Sequence, residues 1–247
     1  MEGRVEFDDV QFAYKEDEPV LRGVTFEVPA GTTTALVGPT GAGKSSILGL
    51  ISRLYDVRHG SVRVDGHDVR SVTQHSLRRR IAVVLQDVFL FRGTVLDNIR
   101  LFDERITREQ VEAAVKAVHA DRVIDRLPLG LDHPVQERGV NFSVGERQLL
   151  AFARALVHDP AILVLDEATS SIDTETERLI QDALETLRRG RTTIVVAHRL
   201  STIKNADQIL VLHHGQVRER GDHRSLLAAG GMYRTLYELQ VRQGGSA

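Results

Sequence analysis

The chain contains no cysteine. Disulfides and thiol catalysis are therefore excluded, and a reducing compartment suits the composition. Long apolar runs are also missing. Stretches such as residues 81–85 and 161–165 fall far short of the ~20 apolar residues that cross a bilayer. Any membrane role then comes through a partner or a further segment. Met1-Glu2-Gly3-Arg4 opens no apolar stretch, so a secretory signal is not expected. Charge of one sign is lacking too: 32 Lys and Arg stand against 34 Asp and Glu, for a net charge of −2. No overall basic field points to nucleic acid, which is not an expected partner, and Arg78-Arg79-Arg80 reads as solvated surface. Internal repeats, low-complexity tracts and long linkers are absent. What is present is 247 residues, 42% hydrophobic and 27% charged. That suits one large α/β domain or two small ones with a well-filled core.

Val10, Phe12 and Tyr14 alternate with polar or small residues, as do Val24, Phe26 and Val28, which predicts two half-buried strands. Residues 33–37 read as a buried strand feeding a glycine-rich loop, and 45–53 as the helix after it. A hairpin is expected about Asp65-Gly66, so these early strands form a small antiparallel layer beside a parallel sheet. Residues 81–85 form another strand, with Gln86 at its end. From there to about 158 the pattern is helical. Thr107-Arg108-Glu109-Gln110 is a capping box ahead of Val111, Ala114, Val115 and Val118, and a second helix starts at Ser143. Residues 161–165 are a strand. Asp173 caps a helix whose apolar face is Leu179, Ile180, Ala183, Leu184 and Leu187, ended by Gly190. Residues 192–197 are a strand with His198 beyond it. Residues 208–212 and 216–220 form a hairpin about His213-His214-Gly215, and 244–247 read as a frayed end. Buried strands separated by helices imply a parallel sheet covered on both faces. Ligands of such sheets sit at the strands' carboxyl ends. Lys44, Gln86, Asp166, Glu167 and His198 all fall there.

Gly38-Pro39-Thr40-Gly41-Ala42-Gly43-Lys44-Ser45 matches G-x-x-x-x-G-K-[ST]. The glycines let backbone amides wrap a phosphate, the next helix aims its positive end at it, and Lys44 adds an ammonium. The Ser45 hydroxyl suits Mg2+, and Ser46 joins the expected nucleotide contacts, so a nucleoside triphosphate with Mg2+ is the expected ligand. Asp166 is placed to hold Mg2+ through water, and Glu167 to polarise an attacking water. Gln86 offers an amide to metal or water, His198 a contact to the γ-phosphate, and Tyr14 a face for adenine. Read singly, Gln86 and His198 serve equally as capping or satisfied polar residues, and Tyr14 as core beside Val10 and Phe12. Ser143-Val144-Gly145-Glu146 is a capping box, and its helix start is a second anion-binding device.

In order and spacing these motifs resemble the ATP-binding cassette (ABC) domains of membrane transporters over nearly the whole chain. The resemblance implies an α/β fold with a P-loop NTPase core: a mostly parallel sheet flanked by helices, an N-terminal antiparallel β layer and an inserted α-helical subdomain. It implies a core of 1–86 and 159–247 and a helical subdomain of about 87–158. Residues 38–45 resemble the P-loop, Gln86 the Q-loop, and Ser143 to Gln148 the signature. Residues 162–167 resemble the Walker B strand, Ser170-Ser171-Ile172-Asp173 the D-loop, His198 the switch histidine and Tyr14 the A-loop aromatic. Glu137-Arg138-Gly139 and the stretch from Gln86 to Ile99 are similar to exporter forms of the X-loop and coupling region. Two such domains pair head to tail, each P-loop sharing Mg·ATP with the partner's signature. Closure and hydrolysis then drive transmembrane domains from the cytoplasmic side of a membrane. The signature departs from Leu-Ser-Gly-Gly-Gln: Val144 disfavours positive φ, and Glu146 puts a carboxylate where an amide is usual. Ser-Val-Gly-Glu is similar to exporters that pair as heterodimers, so a homodimer and a heterodimer are both expected forms. The exporter pattern also implies that a membrane domain precedes this segment. Two other readings are a soluble ATPase of the same superfamily and a regulatory cassette without turnover. The modest segment between Gln86 and Ser143 disfavours the first, and Glu167 with His198 the second.

Overall fold

Alternating burial starts the fold, and it persists through irregularities in the strand pairing. In β1 (Val5–Ala13), Val5 and Phe7 point into the core, then Val10 and Phe12. The extra residue between the two pairs is taken up by an irregularity near Asp9, whose φ is 45°. Tyr14 lies past the strand and is 55% exposed, so core packing of its ring is not realised. The structure is a computed structural model that describes residues 2–167, 174–197 and 199–244.

After β1 come β2 (Pro19–Val28), β3 (Thr33–Val37), α1 (Lys44–Ile51), β4 (His59–Val64), β5 (His67–Asp68), α2 (Gln74–Arg78) and β6 (Ile81–Val84). There follow β7 (Gly93–Thr94), α3 (Val95–Arg100), α4 (Arg108–Ala117), α5 (Asp121–Ile124), β8 (Pro134–Val135) and α6 (Val144–Val157). Then come β9 (Ile162–Asp166), α7 (Thr174–Arg188), β10 (Thr192–Val196), α8 (Leu200–Lys204) and β11 (Gln208–His213). The order closes with β12 (Gln216–Gly221), α9 (His223–Ala229) and α10 (Met232–Gly244). No described helix is long and apolar enough to cross a membrane. The chain divides into two units, one of Met1–Ile81, Ala161–Thr169 and Gly190–Ala247, the other of Ala82–Pro160 and Ser170–Arg189.

The first unit holds two sheets. One is antiparallel, in the order β2-β1-β4-β5. Phe7 of β1 and Phe26 of β2 stack within it at 4.5 Å between ring centroids. The other runs β12-β11-β3-β10-β9, parallel from β11 to β9, with β12 antiparallel at the edge. Val195 pairs with Ala35 on one side and Leu165 on the other. Every residue of β3 and β10 is buried, which is why both read as unbroken runs rather than alternations. Full burial of each large apolar side chain contributes about 1.5–3 kcal/mol. At the far edge Glu219 of β12 accepts hydrogen bonds from the amides of Met232 (2.6 Å) and Tyr233 (2.9 Å), which open α10. Of the C-terminal helices, α9 is bounded by an Asp222 cap and by Gly230 in the left-handed conformation.

The second unit is helical. Thr107 caps α4 through a box with Gln110, and Ser143 caps α6 through a box with Glu146. Val95, Ile99, Val111, Val115, Phe142 and Leu150 are among its buried apolar residues. α7, though it follows β9, packs on α6 and presents Ile180, Ala183, Leu184 and Leu187 as its buried face. Leu179 is only partly buried. Asp173, its expected cap, lies outside the described residues.

Candidate functional site

β3 delivers the chain into the glycine-rich loop at full burial, and the loop's geometry demands its glycines. At Gly38, φ is 154° and an added Cβ would stand 2.2 Å from the carbonyl oxygen of Leu212. At Gly43, φ is 101° and a Cβ would stand 2.5 Å from Leu21 Cδ2. Pro39, Thr40 and Gly41 are exposed at the rim, and the amide of Ala42 donates to Pro39 O at 3.2 Å to close the turn. Gly43 is the N-cap of α1 and has no side chain with which to cap it. The first amides of the helix therefore rely on another acceptor.

Lys44 opens α1 and is buried. Its Nζ donates to Gly38 O at 2.7 Å and to Pro39 O at 2.9 Å, so the ammonium lies folded over its own loop. Burial pushes its pKa below the ordinary lysine value, and the nearby Asp166 carboxylate pulls in the opposite direction. An ammonium so placed, beside a helix start that lacks a side-chain cap, suits an anion. Ser45 is exposed on the first turn, while Ser46 is buried with its hydroxyl 3.0 Å from Tyr14 OH. Tyr14 is thereby tied to α1, its ring edge-on to Phe12 (4.8 Å) and Tyr55 (5.1 Å).

Asp166 ends β9 opposite Val196, and Glu167 follows with its amide donating to Val196 O at 3.2 Å. Glu167 is buried. Its Oε1 accepts from Thr202 Oγ1 at 2.5 Å and its Oε2 from the amide of Arg199 at 3.2 Å. The first unit thus brings together the loop, Lys44, Ser45, Ser46, Tyr14, Asp166 and Glu167. His198 and Asp173 lie outside the described residues.

Gln86 and Ser143 to Glu146 belong to the second unit. Gln86 is exposed just past β6. Ser143 Oγ accepts from the amide of Glu146 at 3.2 Å, and Glu146 Oε2 accepts from the amide of Ser143 at 2.8 Å. Val144 is the first residue of α6 with helical backbone, so no positive φ is required of it, and the glycine more usual there is not needed.

Two residues at the sites went unread in the sequence. Thr202 is one. Arg154 is the other: its guanidinium donates to Asn98 O (2.9 Å) and Phe89 O (3.1 Å), and burial pushes its pKa down to about 10. Asn98 in turn accepts from Phe91 N and donates to Phe91 O, both at 2.7 Å. The segment after Gln86 is held by this network.

The ABC transporter family model matches residues 21–170. Over 241 residues the chain is 54% identical to the probable multidrug resistance ABC transporter ATP-binding/permease protein YheH of Bacillus subtilis, covering 98% of this chain and 36% of that one. It is 48% identical over 240 residues to an ATP-dependent lipid A-core flippase of Haemophilus influenzae, covering 96% of this chain and 41% of that one. A solved bacterial Atm1-family ABC exporter with ATP bound superposes with a TM-score of 0.90 at 45% identity, over 97% of this chain and 42% of the exporter. The chain therefore spans roughly two fifths of the length of these relatives. With the family model covering residues 21–170 and a relative 54% identical over 98% of its length, the chain belongs to the ABC transporter family.

Proposed function

We propose that this chain is the ATP-binding and ATP-hydrolysing motor domain of an ABC exporter. The observation that carries the reading is the pairing of the buried Lys44 ammonium, folded over an anion-ready loop, with the strand-end carboxylates Asp166 and Glu167. The loop amides of Gly38 to Ser46 and Lys44 bind the phosphates, and Tyr14 packs on the adenine. Glu167 takes the proton of the attacking water, and His198 contacts the γ-phosphate. Ser45, Asp166 and Gln86 are hard oxygen donors that suit Mg2+, an ion that takes only a few protein ligands and fills its sphere with phosphate and water. When bound, Mg2+ neutralises charge on the phosphate oxygens.

Ser143, Val144, Gly145 and Glu146 present a helix start to the ATP of a second ABC domain, identical or not, and Asp173 belongs to the same pairing interface. Head-to-tail closure on Mg·ATP and reopening after hydrolysis move the transmembrane domains of the exporter. This chain then works at the cytoplasmic side of a membrane, held there by those domains. Three things support the exporter reading over the soluble and regulatory ones: the names of the relatives, the extent of the match and the intact Glu167. The decisive experiment replaces Glu167 by Gln. ATP binding should persist, turnover should fall at least ~100-fold, and an ATP-bound dimer should accumulate on sizing. Undiminished turnover in that variant overturns the proposal.

A further inference from the structure

Glu167 is immobilised by one short helix and its cap. Thr202 on α8 is buried, and its hydroxyl donates to Oε1 at 2.5 Å. Arg199, the N-cap residue of α8, donates its amide to Oε2 at 3.2 Å. Both carboxylate oxygens are therefore gripped from α8, which fixes the rotation of the carboxylate about its last bond. The helix itself is anchored. Ile203 is buried to 1% exposure, its amide donates to Arg199 O at 3.2 Å, and Lys204 Nζ sits 5.5 Å from the centre of the Tyr237 ring. Threonine suits such a grip, because its branched Cβ restricts χ1 and holds the hydroxyl where the chain sets it. Orienting a reacting group in advance removes that entropy cost from the chemical step.

We propose that Thr202 is a positioning residue for Glu167: its hydroxyl holds the carboxylate in the orientation from which it meets the attacking water. This rests on the reading of Glu167 as the general base, and it adds that the base is aimed by α8. A threonine that merely satisfies itself on the nearest acceptor would matter for stability alone, so the test separates the two roles.

Thr202→Val keeps the shape and removes the hydroxyl; Thr202→Ser keeps the hydroxyl. Both are measured in the full chain by steady-state ATP turnover, nucleotide binding and thermal melting. The valine variant should lose about 10- to 100-fold in kcat with KM within about 2-fold of the parent chain. The serine variant should recover kcat to within about 3-fold, and adding Thr202→Val to Glu167→Gln should slow turnover no further. A valine variant with undiminished kcat, a loss that serine does not rescue, or a full additional loss in the double variant each overturns the inference. If the valine chain melts early, Thr202→Ala repeats the comparison, and the same three outcomes decide. The two readings fail separately. Undiminished turnover of Glu167→Gln removes the base itself, whereas an inactive Glu167→Gln beside a fully active Thr202→Val removes only the aiming role.

Discussion

Two helix starts in this chain carry the same electrostatic device in opposite resting states. Each presents first-turn amides that have no partner within the helix and the positive end of a helix dipole. At α1 the N-cap is Gly43, which offers no acceptor, and a buried lysine adds positive charge. At α6 the N-cap is Ser143, its hydroxyl already accepts from Glu146, and the Glu146 carboxylate returns to the Ser143 amide. One end is left open to an anion, and the other is closed on itself with an acid beside it. The difference teaches that a serine-led helix start is no anion site merely by being one. On the function proposed above, affinity in the single chain belongs to α1, and α6 contributes once its internal bonds are exchanged for those of an incoming ligand.

The largest blow to this contrast comes from Lys44→Ala. Charge-assisted hydrogen bonds contribute about 1.5–3 kcal/mol each, so ATP affinity should fall on the order of 100-fold in titration calorimetry. The melting temperature should not drop, since a buried ammonium is removed. Unchanged affinity would mean that α1 is not the anion end.

Ser143→Ala should do the reverse. It should cost about 1 kcal/mol in urea unfolding, the usual value of a lost cap, and leave the ATP affinity of the single chain alone. A stability equal to that of the parent would dissolve the distinction between open and closed ends.

A smaller effect lies in pH. The Lys44 pKa is lowered in the folded chain from 10.5, so between the lowered value and 10.5 the unfolded chain binds more protons than the native one. Stability should therefore rise with pH across that window, by at most about 1.4 kcal/mol per pH unit from this group. The checking quantity is the difference in slope between the parent chain and Lys44→Met; saturating ATP should flatten it, because phosphate restores the lysine's preference for charge. The smallest change is expected from Glu146→Gln. Glutamine also closes a capping box, so unfolding free energy should stay within about 0.5 kcal/mol.

Local chemistry explains what the sequence revealed. The phosphate loop, the capping boxes at Thr107 and Ser143 and the fully buried strands β3 and β10 depend on neighbours a few residues apart, and spacing records them. The resemblance to ABC domains was likewise carried by contiguous motifs. Contacts between distant positions left no such trace. Thr202 meets Glu167 from 35 positions away, and Arg154 meets Asn98 from 56. The alternation of Val10, Phe12 and Tyr14 breaks off for a different reason: β1 stops at Ala13, so the Tyr14 ring lies past the strand. The helix from Thr174 to Arg188 is legible from its apolar face, yet its packing on α6 is a matter of tertiary partnership that periodicity does not encode.

Glu219 gives the chain's last helix an address. Its carboxylate takes the two amides that open α10, and Gly231 leaves room for it, since a methyl there would stand 2.1 Å from Glu219 Oε1. One acid on an edge strand thus joins the buried Tyr233 ring in holding the start of α10 to the sheet. A fluorophore attached near the C-terminus becomes a gauge of that tether.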